Sequence, residues 1–156
     1  MREAWDIYQD HLDAASQALW DRDYEAVATM MMFPQDIVVA GQSATMADAA
    51  AGMDRARAFR ESLSNLAATA YHRLAKRAGF DPGDPDLIHG EHEVYVLRGA
   101  TYAVTPYRVR MDLRRVDGAW LCGSGHIEQI PPGLRYGALT PITGPDAAEA
   151  RHGDQT

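Results

Sequence analysis

The sequence predicts an α+β fold in which helices come first and a curved antiparallel sheet follows. Three observations lead there. Apolar residues recur at helical spacing up to about Leu66, strand-like alternation dominates from Thr69 to Ile130, and two tight-turn signals join the alternating runs. Helices grouped before strands mark α+β architecture rather than α/β.

The first helix should run from Arg2 to Leu19, because Trp5, Tyr8, Leu12, Ala15 and Leu19 recur at spacings of three and four and make one apolar stripe. Asp21 to Asp23 is a polar break. Asp23 can cap a second helix through Met32 that buries Tyr24, Val27, Met30 and Met31. Pro34 ends it, since the residue before a proline is pushed out of helical geometry. Asp36 to Ala40 reads as a short strand, Gly41-Gln42 as a turn and Ser43-Ala44 as a short return. Thr45 with Asp48 resembles a capping signal for a third helix reaching Leu66, with Met53, Ala56, Phe59 and Leu63 inward. Thr69 to Phe80 is a long strand, and Asp81 to Asp86 a loop. Pro131-Pro132-Gly133 ends the sheet, so residues 1–130 form a single domain. Residues 131–156 form a C-terminal extension, disordered from His152 onward.

The turns fix which side chains share a face. Arg98-Gly99-Ala100-Thr101 suits a two-residue turn with glycine first, and Val116-Asp117-Gly118-Ala119 carries Asp-Gly, the strongest short hairpin signal. Closing the first turn places His92 opposite Tyr107 and Gly90 opposite Val109. Closing the second places Met111 opposite Ser124, Val109 opposite His126 and Tyr107 opposite Glu128. One face then carries His92, Val94, Tyr107, Val109, Met111, Cys122, Ser124, His126 and Glu128. The other is charged, with Glu91 opposite Arg108 as a cross-strand pair. Pro106 cannot donate to a ladder and marks a place where pairing can become irregular.

Composition narrows the function classes. The 156 residues, 46% hydrophobic and 24% charged, suit one globular domain that buries about two-thirds of its unfolded surface. A net charge of −7 with no run of lysine or arginine argues against nucleic acid as partner. No apolar run approaches the roughly 18 residues needed to span a membrane. Glu3, Asp6 and Asp10 interrupt what would otherwise be a leader. The expectation is a cytoplasmic protein, and the single Cys122 excludes an internal disulfide framework.

His92, Tyr107 and His126 are the candidate catalytic residues. A neutral imidazole in a dry pocket can accept or donate a proton near pH 7, and a phenol can hold an enolate oxygen. Tyr8, Leu12, Val109, Met111, Ser124 and Glu128 are the candidate pocket lining; Glu128 reads more readily as a solvated rim residue, and Asp36, whose carboxylate could reach the pocket, as a turn or helix-end residue. His72 has no turn to fix its face. His89-Gly90-Glu91-His92 superficially suggests a metal site, but a strand sends His89 and His92 to opposite faces, so no metal is expected. No glycine-rich phosphate motif is present, and no cofactor is expected. Cys122 reads as an inert buried thiol, and the methionines Met30, Met31, Met32, Met46, Met53 and Met111 as adaptable packing.

At this point the chain resembles the nuclear transport factor 2-like, or SnoaL-like, superfamily. The resemblance rests on Tyr8 to Leu19 followed by Asp23-Tyr24-Glu25-Ala26-Val27, on Phe33-Pro34 before a short strand, and on Val116-Asp117-Gly118-Ala119-Trp120-Leu121 followed by a histidine. It spans residues 3–130. It implies a cone-shaped α+β barrel with a pocket between sheet and helices, and homodimers made through the outer sheet face. Members range from isomerases, dehydratases and cyclases to scaffolds that catalyse nothing, and paired histidines with a tyrosine lean toward the dehydratase pattern. Two readings follow. In one, the cone binds an apolar, oxygen-bearing small molecule, with cofactor-independent isomerisation, dehydration or cyclisation as its chemistry. In the other, the outer-face cluster Tyr95, Leu97, Tyr102 and Val104 makes a non-enzymatic assembly module.

Overall fold

The computed structural model describes residues 2–137 and 140–141. The elements run α1 (Ala4–Trp20), α2 (Tyr24–Thr29), β1 (Met31–Val39), β2 (Gln42–Met46), α3 (Ala49–Asn65), β3 (Ala70–Asp81), β4 (Asp84–Arg98), β5 (Thr101–Tyr102), β6 (Tyr107–Val116), β7 (Ala119–Ile127) and β8 (Thr140–Pro141). The three helices pack on a curved sheet that does not close. Helix α1 buries Ala4, Ile7, Tyr8, Leu12, Ala15 and Leu19. Trp5, expected in the stripe, is instead 43% exposed. Helix α2 stops after six residues, because Met31 is captured by the sheet: the Cys122 amide donates to Met30 O at 2.9 Å. Asp48 caps α3 by accepting from the Ala51 amide. The expected loop at Asp81 to Asp86 is only a tight turn, with β4 already begun at Asp84.

Seven strands lie side by side in the order β3-β4-β6-β7-β1-β2-β8, with β5 the short return strand on β4. Neighbours are antiparallel except β1 and β7, which run parallel, so the sheet is mixed. Both hairpins form at the expected corners, yet both registers slip beyond them. Arg98 pairs with Thr101 as expected, but Tyr107 sits opposite Val94 and His92 opposite Val109. Residues 103–106, including Pro106, absorb two positions, and a slip of two leaves every side chain on its own face. In the second hairpin, Leu113 faces Cys122 and Asp112 already faces Ser124, leaving Gly123 unpaired as a bulge. A slip of one exchanges faces. Ile127 therefore points inward opposite Val109, and His126 outward opposite Arg110.

The core has a large cluster built around Leu63, Phe59, Val94, Val96 and Ile127, and a second around Tyr8, Leu12, Ile88 and Leu113. Val104, expected on the outer face, is turned inward by the break before β6 and joins the first cluster. Leu134 and Tyr136, between β7 and β8, also pack there. The expected disorder from His152 lies outside the described residues. Among the described residues, no helix is long and apolar enough to cross a membrane.

Candidate functional site

A cavity of about 110 Å³ lies between the helices and the concave sheet face. Its wall is mostly apolar, with Leu19, Val27, Ala56, Phe59, Val94, Val109, Met111 and Ile127, and the polar groups in it are His11, Gln35, Arg55, Tyr71, Arg73, His92 and Tyr136. Among the described residues, no aspartate or glutamate lines it.

His92 is 1% exposed and is held from behind by α1: the Tyr8 hydroxyl lies 2.7 Å from Nδ1. This contact requires Gly90, since a Cβ there would fall inside the Tyr8 ring. Burial, then Arg73 and His11, hold His92 well below the usual imidazole range, and burial pushes the Tyr8 phenol up, so both are neutral near pH 7. The Tyr8 O–H has no other partner among the described residues. It is satisfied by donating to Nδ1, which leaves the proton of His92 on Nε2. His92 thus offers an N–H donor on its cavity side.

His11 has the complementary form. Its Nε2 lies 3.1 Å from Met30 O, a carbonyl that can only accept, so Nε2 carries the hydrogen and Nδ1 keeps a lone pair. That Nδ1 is buried with no partner among the described residues. Burial, partly offset by the Met30 bond and reinforced by Arg73, lowers His11 to about 4. One imidazole donor and one imidazole acceptor therefore share the cavity.

The other polar wall is aromatic and cationic. Phe59 stacks between Tyr71 and Tyr136, with ring centroids 5.5 and 4.8 Å away. Arg55 lies 4.9 Å over Tyr136, and Arg73 lies 5.9 Å from the Tyr71 ring centre. Arg73 Nε donates to Ser16 Oγ at 2.8 Å and its guanidinium to Leu12 O at 3.3 Å, whereas Arg55 Nε is buried without a partner among the described residues. The Tyr107 hydroxyl bonds the Tyr136 hydroxyl, and burial raises both phenols. Cys122 lies in the wall, and burial raises its thiol to about 11, leaving it protonated and inert as expected from its setting.

The structure separates the three residues expected to converge. His92, Val109 and Met111 line the cavity. Tyr107 reaches it through Tyr136, and Tyr8 and Leu12 support it from behind. The bulge at Gly123 carries His126 and Ser124 to an outer groove shared with Asp36, His89, Arg110 and Asp112. Glu128 is exposed and pairs with Arg110 at 3.6 Å. Asp36 accepts from Thr45 and faces outward, and His72 pairs with Tyr95 and is exposed. Sequence reasoning missed His11, Arg55, Arg73 and Tyr136. Only His11 had a signal: with Tyr8, Leu12 and Ala15 it completes an i, i+3, i+4, i+7 face on α1.

No protein-family model and no curated protein matches the sequence. Solved structures do match in shape. An NTF-2-like protein of unknown function from Shewanella oneidensis MR-1 is 10% identical, with a TM-score of 0.59 over 78% of this chain and 95% of that one. Aln2 from a Streptomyces species is 15% identical, with a TM-score of 0.59 over 80% and 89%. A protein of unknown function with a cystatin-like fold from Nostoc punctiforme is 14% identical, with a TM-score of 0.57 over 77% and 86%. Identities this low speak for shape alone. Helix order, mixed curved sheet and these neighbours together give the chain the nuclear transport factor 2-like, or cystatin-like, fold.

Proposed function

We propose that this protein binds an apolar, oxygen-bearing small molecule in the cavity, and that the chemistry its wall equips it for is proton transfer without a cofactor. The observation carrying this reading is the pair of buried polar atoms left without partners, His11 Nδ1 and Arg55 Nε, on residues that line one cavity. Buried polar groups are ordinarily satisfied, and each orphan costs about 1–3 kcal/mol. A ligand oxygen or N–H supplies what is missing.

In this reading His11 Nδ1 removes a proton from a carbon beside a carbonyl. His92 Nε2–H hydrogen-bonds the oxygen on which charge develops. Return of the proton to a different carbon is isomerisation; its delivery to a departing hydroxyl is dehydration. With a conjugate acid near pH 4, His11 is a weak base, which confines the substrate to a strongly activated C–H. His126 has no part, being on the opposite face. Tyr107 acts by holding Tyr136. Titrating histidine-¹⁵N-labelled protein with acetophenone and cyclohexanone is expected to move the His11 and His92 resonances and to raise the Tm. No shift and no stabilisation with either ketone, or with carboxylates of similar size, would remove the reading. For an identified turnover, His11→Gln and His92→Gln should each lower kcat by ~10²- to 10⁴-fold.

The assembly reading is supported by a different surface. Leu74 and Tyr102 are 46% and 59% exposed on the outer face, beside Tyr95, whose ring lies 6.4 Å from that of Tyr102. An exposed apolar cluster of this kind marks an interface. We assign it to a second copy of the chain, which leaves the cavity on the concave side free. Light scattering should give a dimer for the wild type and a monomer for Leu74→Glu/Tyr102→Glu; a wild-type monomer refutes the assignment.

A further inference from the structure

The charges around the cavity are uneven. The chain as a whole carries −7, yet among the described residues the cavity wall has two guanidiniums and no carboxylate. Arginine stays charged under all ordinary conditions. Among the described residues, neither Arg55 nor Arg73 makes a salt bridge, whereas Arg2, Arg57, Arg108, Arg110, Arg114 and Arg115 do. A guanidinium has five donors. Arg73 commits two, to Ser16 Oγ and Leu12 O, and Arg55 has no hydrogen-bond acceptor among the described residues. Both lie against aromatic rings rather than acids, at the two ends of the row Tyr71, Phe59, Tyr136.

Both guanidiniums are half-buried, and with aromatic faces but no acid beside them their charge is left without a counter-ion among the described residues. The field is felt inside. Arg55 and Arg73 both favour the anionic form of Tyr71, Tyr136 and Cys122, while Arg73 disfavours protonated His11 and His92.

We infer that the cavity is built for an anion: a small apolar molecule ending in one carboxylate, received by the unpartnered Arg55, with Arg73 adding to the positive field from the other end of the aromatic row and Phe59, Val94 and Val109 taking the hydrocarbon part. This rests on the cavity being a ligand site and names the class of ligand. Size limits the ligand: a dry cavity on the order of 150 Å³ holds benzene, and this one is smaller, at about 110 Å³. Among the described residues, a second anionic group would find no further guanidinium or ammonium in the wall. The His92 Nε2–H and the His11 lone pair then face the part of the ligand next to the carboxylate, where a carbonyl or hydroxyl would be read.

The test compares isosteres that differ in charge, benzoate and benzamide, with acetophenone as a neutral ketone, at pH 7. Binding is followed by isothermal titration and by the Arg55 Nε–H resonance. Benzoate is expected to bind at least tenfold more tightly than benzamide and to shift the Arg55 signal. Arg55→Met should abolish that preference, and Arg55→Lys should restore part of it. Arg73→Met should act in the same direction. Should that variant fail to fold for want of its Ser16 and Leu12 bonds, the wild-type comparison and Arg55→Met decide alone. Benzamide binding as tightly as benzoate, or a preference that survives Arg55→Met, overturns the anion assignment. Acetophenone binding without benzoate also overturns it but leaves the small-molecule reading standing. If none of the three binds, both fail.

Discussion

Acid should destabilise this protein well above the pH at which carboxylates usually titrate, because two buried imidazoles are neutral in the native state. His11 titrates near 6.5 when unfolded and at about 4 in the folded chain. Between those values the unfolded state binds a proton that the native state does not, so stability falls as pH falls. Closing the whole window costs at most about 3 kcal/mol for His11, since its side chain is only partly buried. His92, held well below 6.5, has the same sign and a window that opens at the same upper limit. Together the two approach a slope of about 2.7 kcal/mol per pH unit below pH 6.

Other groups lie outside that window or oppose it. Asp81, Asp84 and Glu91 are held below their ordinary values of 3.8, 3.8 and 4.5 by hydrogen bonds, so their contribution is lost only at lower pH. His89 is raised by its bonds to Asp81 and Asp112. Its contribution is complete below 6.5 and is lost as pH rises through its folded value, so stability should peak near 6.5. Urea denaturation at intervals from pH 7.5 to 4.5 measures this. His11→Gln and His92→Gln should each remove about half of the slope between pH 6 and 5. A flat profile there, or a slope unchanged in both variants, would show that these imidazoles are not neutral and buried in the way described. Total stabilities of about 5–15 kcal/mol make such a slope easy to see.

Three further outcomes follow from single contacts. Gly90→Ala places a methyl group inside the Tyr8 ring and should cost about 1–3 kcal/mol in urea denaturation, with loss of the Tyr8–His92 bond; wild-type stability would mean that α1 can retreat from β4 freely. Tyr8→Phe removes the donor to His92 Nδ1 and should cost about 1–3 kcal/mol, moving the His92 proton between ring nitrogens in ¹⁵N spectra; an unmoved tautomer would show that Tyr8 does not set it. Asp48→Ala uncaps α3 and should cost about 0.5–2 kcal/mol by thermal melting, whereas an unchanged Tm would make the Ala51 contact energetically idle.

Much of the fold was legible because the signals are local. The capping signal before α3 is real although Asp48 alone is the cap and Thr45 stays in β2, Gly99 and Gly118 take the positive φ their turns require, and Leu12, Ala15 and Leu19 face inward. What stayed hidden depends on partners distant in sequence. The early end of α2 and the parallel pairing of β1 with β7 come from contacts between Met30–Met31 and Cys122, about ninety residues apart, which no periodicity in either segment announces. Trp5 is exposed because α1 rotates to place Ala4, Ile7 and Tyr8 against the sheet, a choice set by the glycine at position 90.

The site shows the same division at finer grain. Two hairpins each depart from ideal pairing, and the parity of the departure alone decides what survives. Two residues absorbed at 103–106 leave His92 and Tyr107 inward, and one residue absorbed at Gly123 expels His126. Nothing in the strand pattern distinguishes these cases beforehand, because Pro106 and Gly123 each mark a place where pairing can become irregular without fixing how many residues are absorbed. The expelled imidazole is matched by another on a helix. His11 meets the cavity through α1, where 3.6-residue periodicity carries it beside Leu12 and Ala15 whatever the sheet register does. A histidine on a buried helical stripe is therefore the sturdier inference from sequence, and a histidine beyond a possible bulge the weaker. The two arginines lie further from view still: Arg55 and Arg73 sit in segments whose polarity suits a solvated surface, and only the closed fold turns them toward a shared hollow.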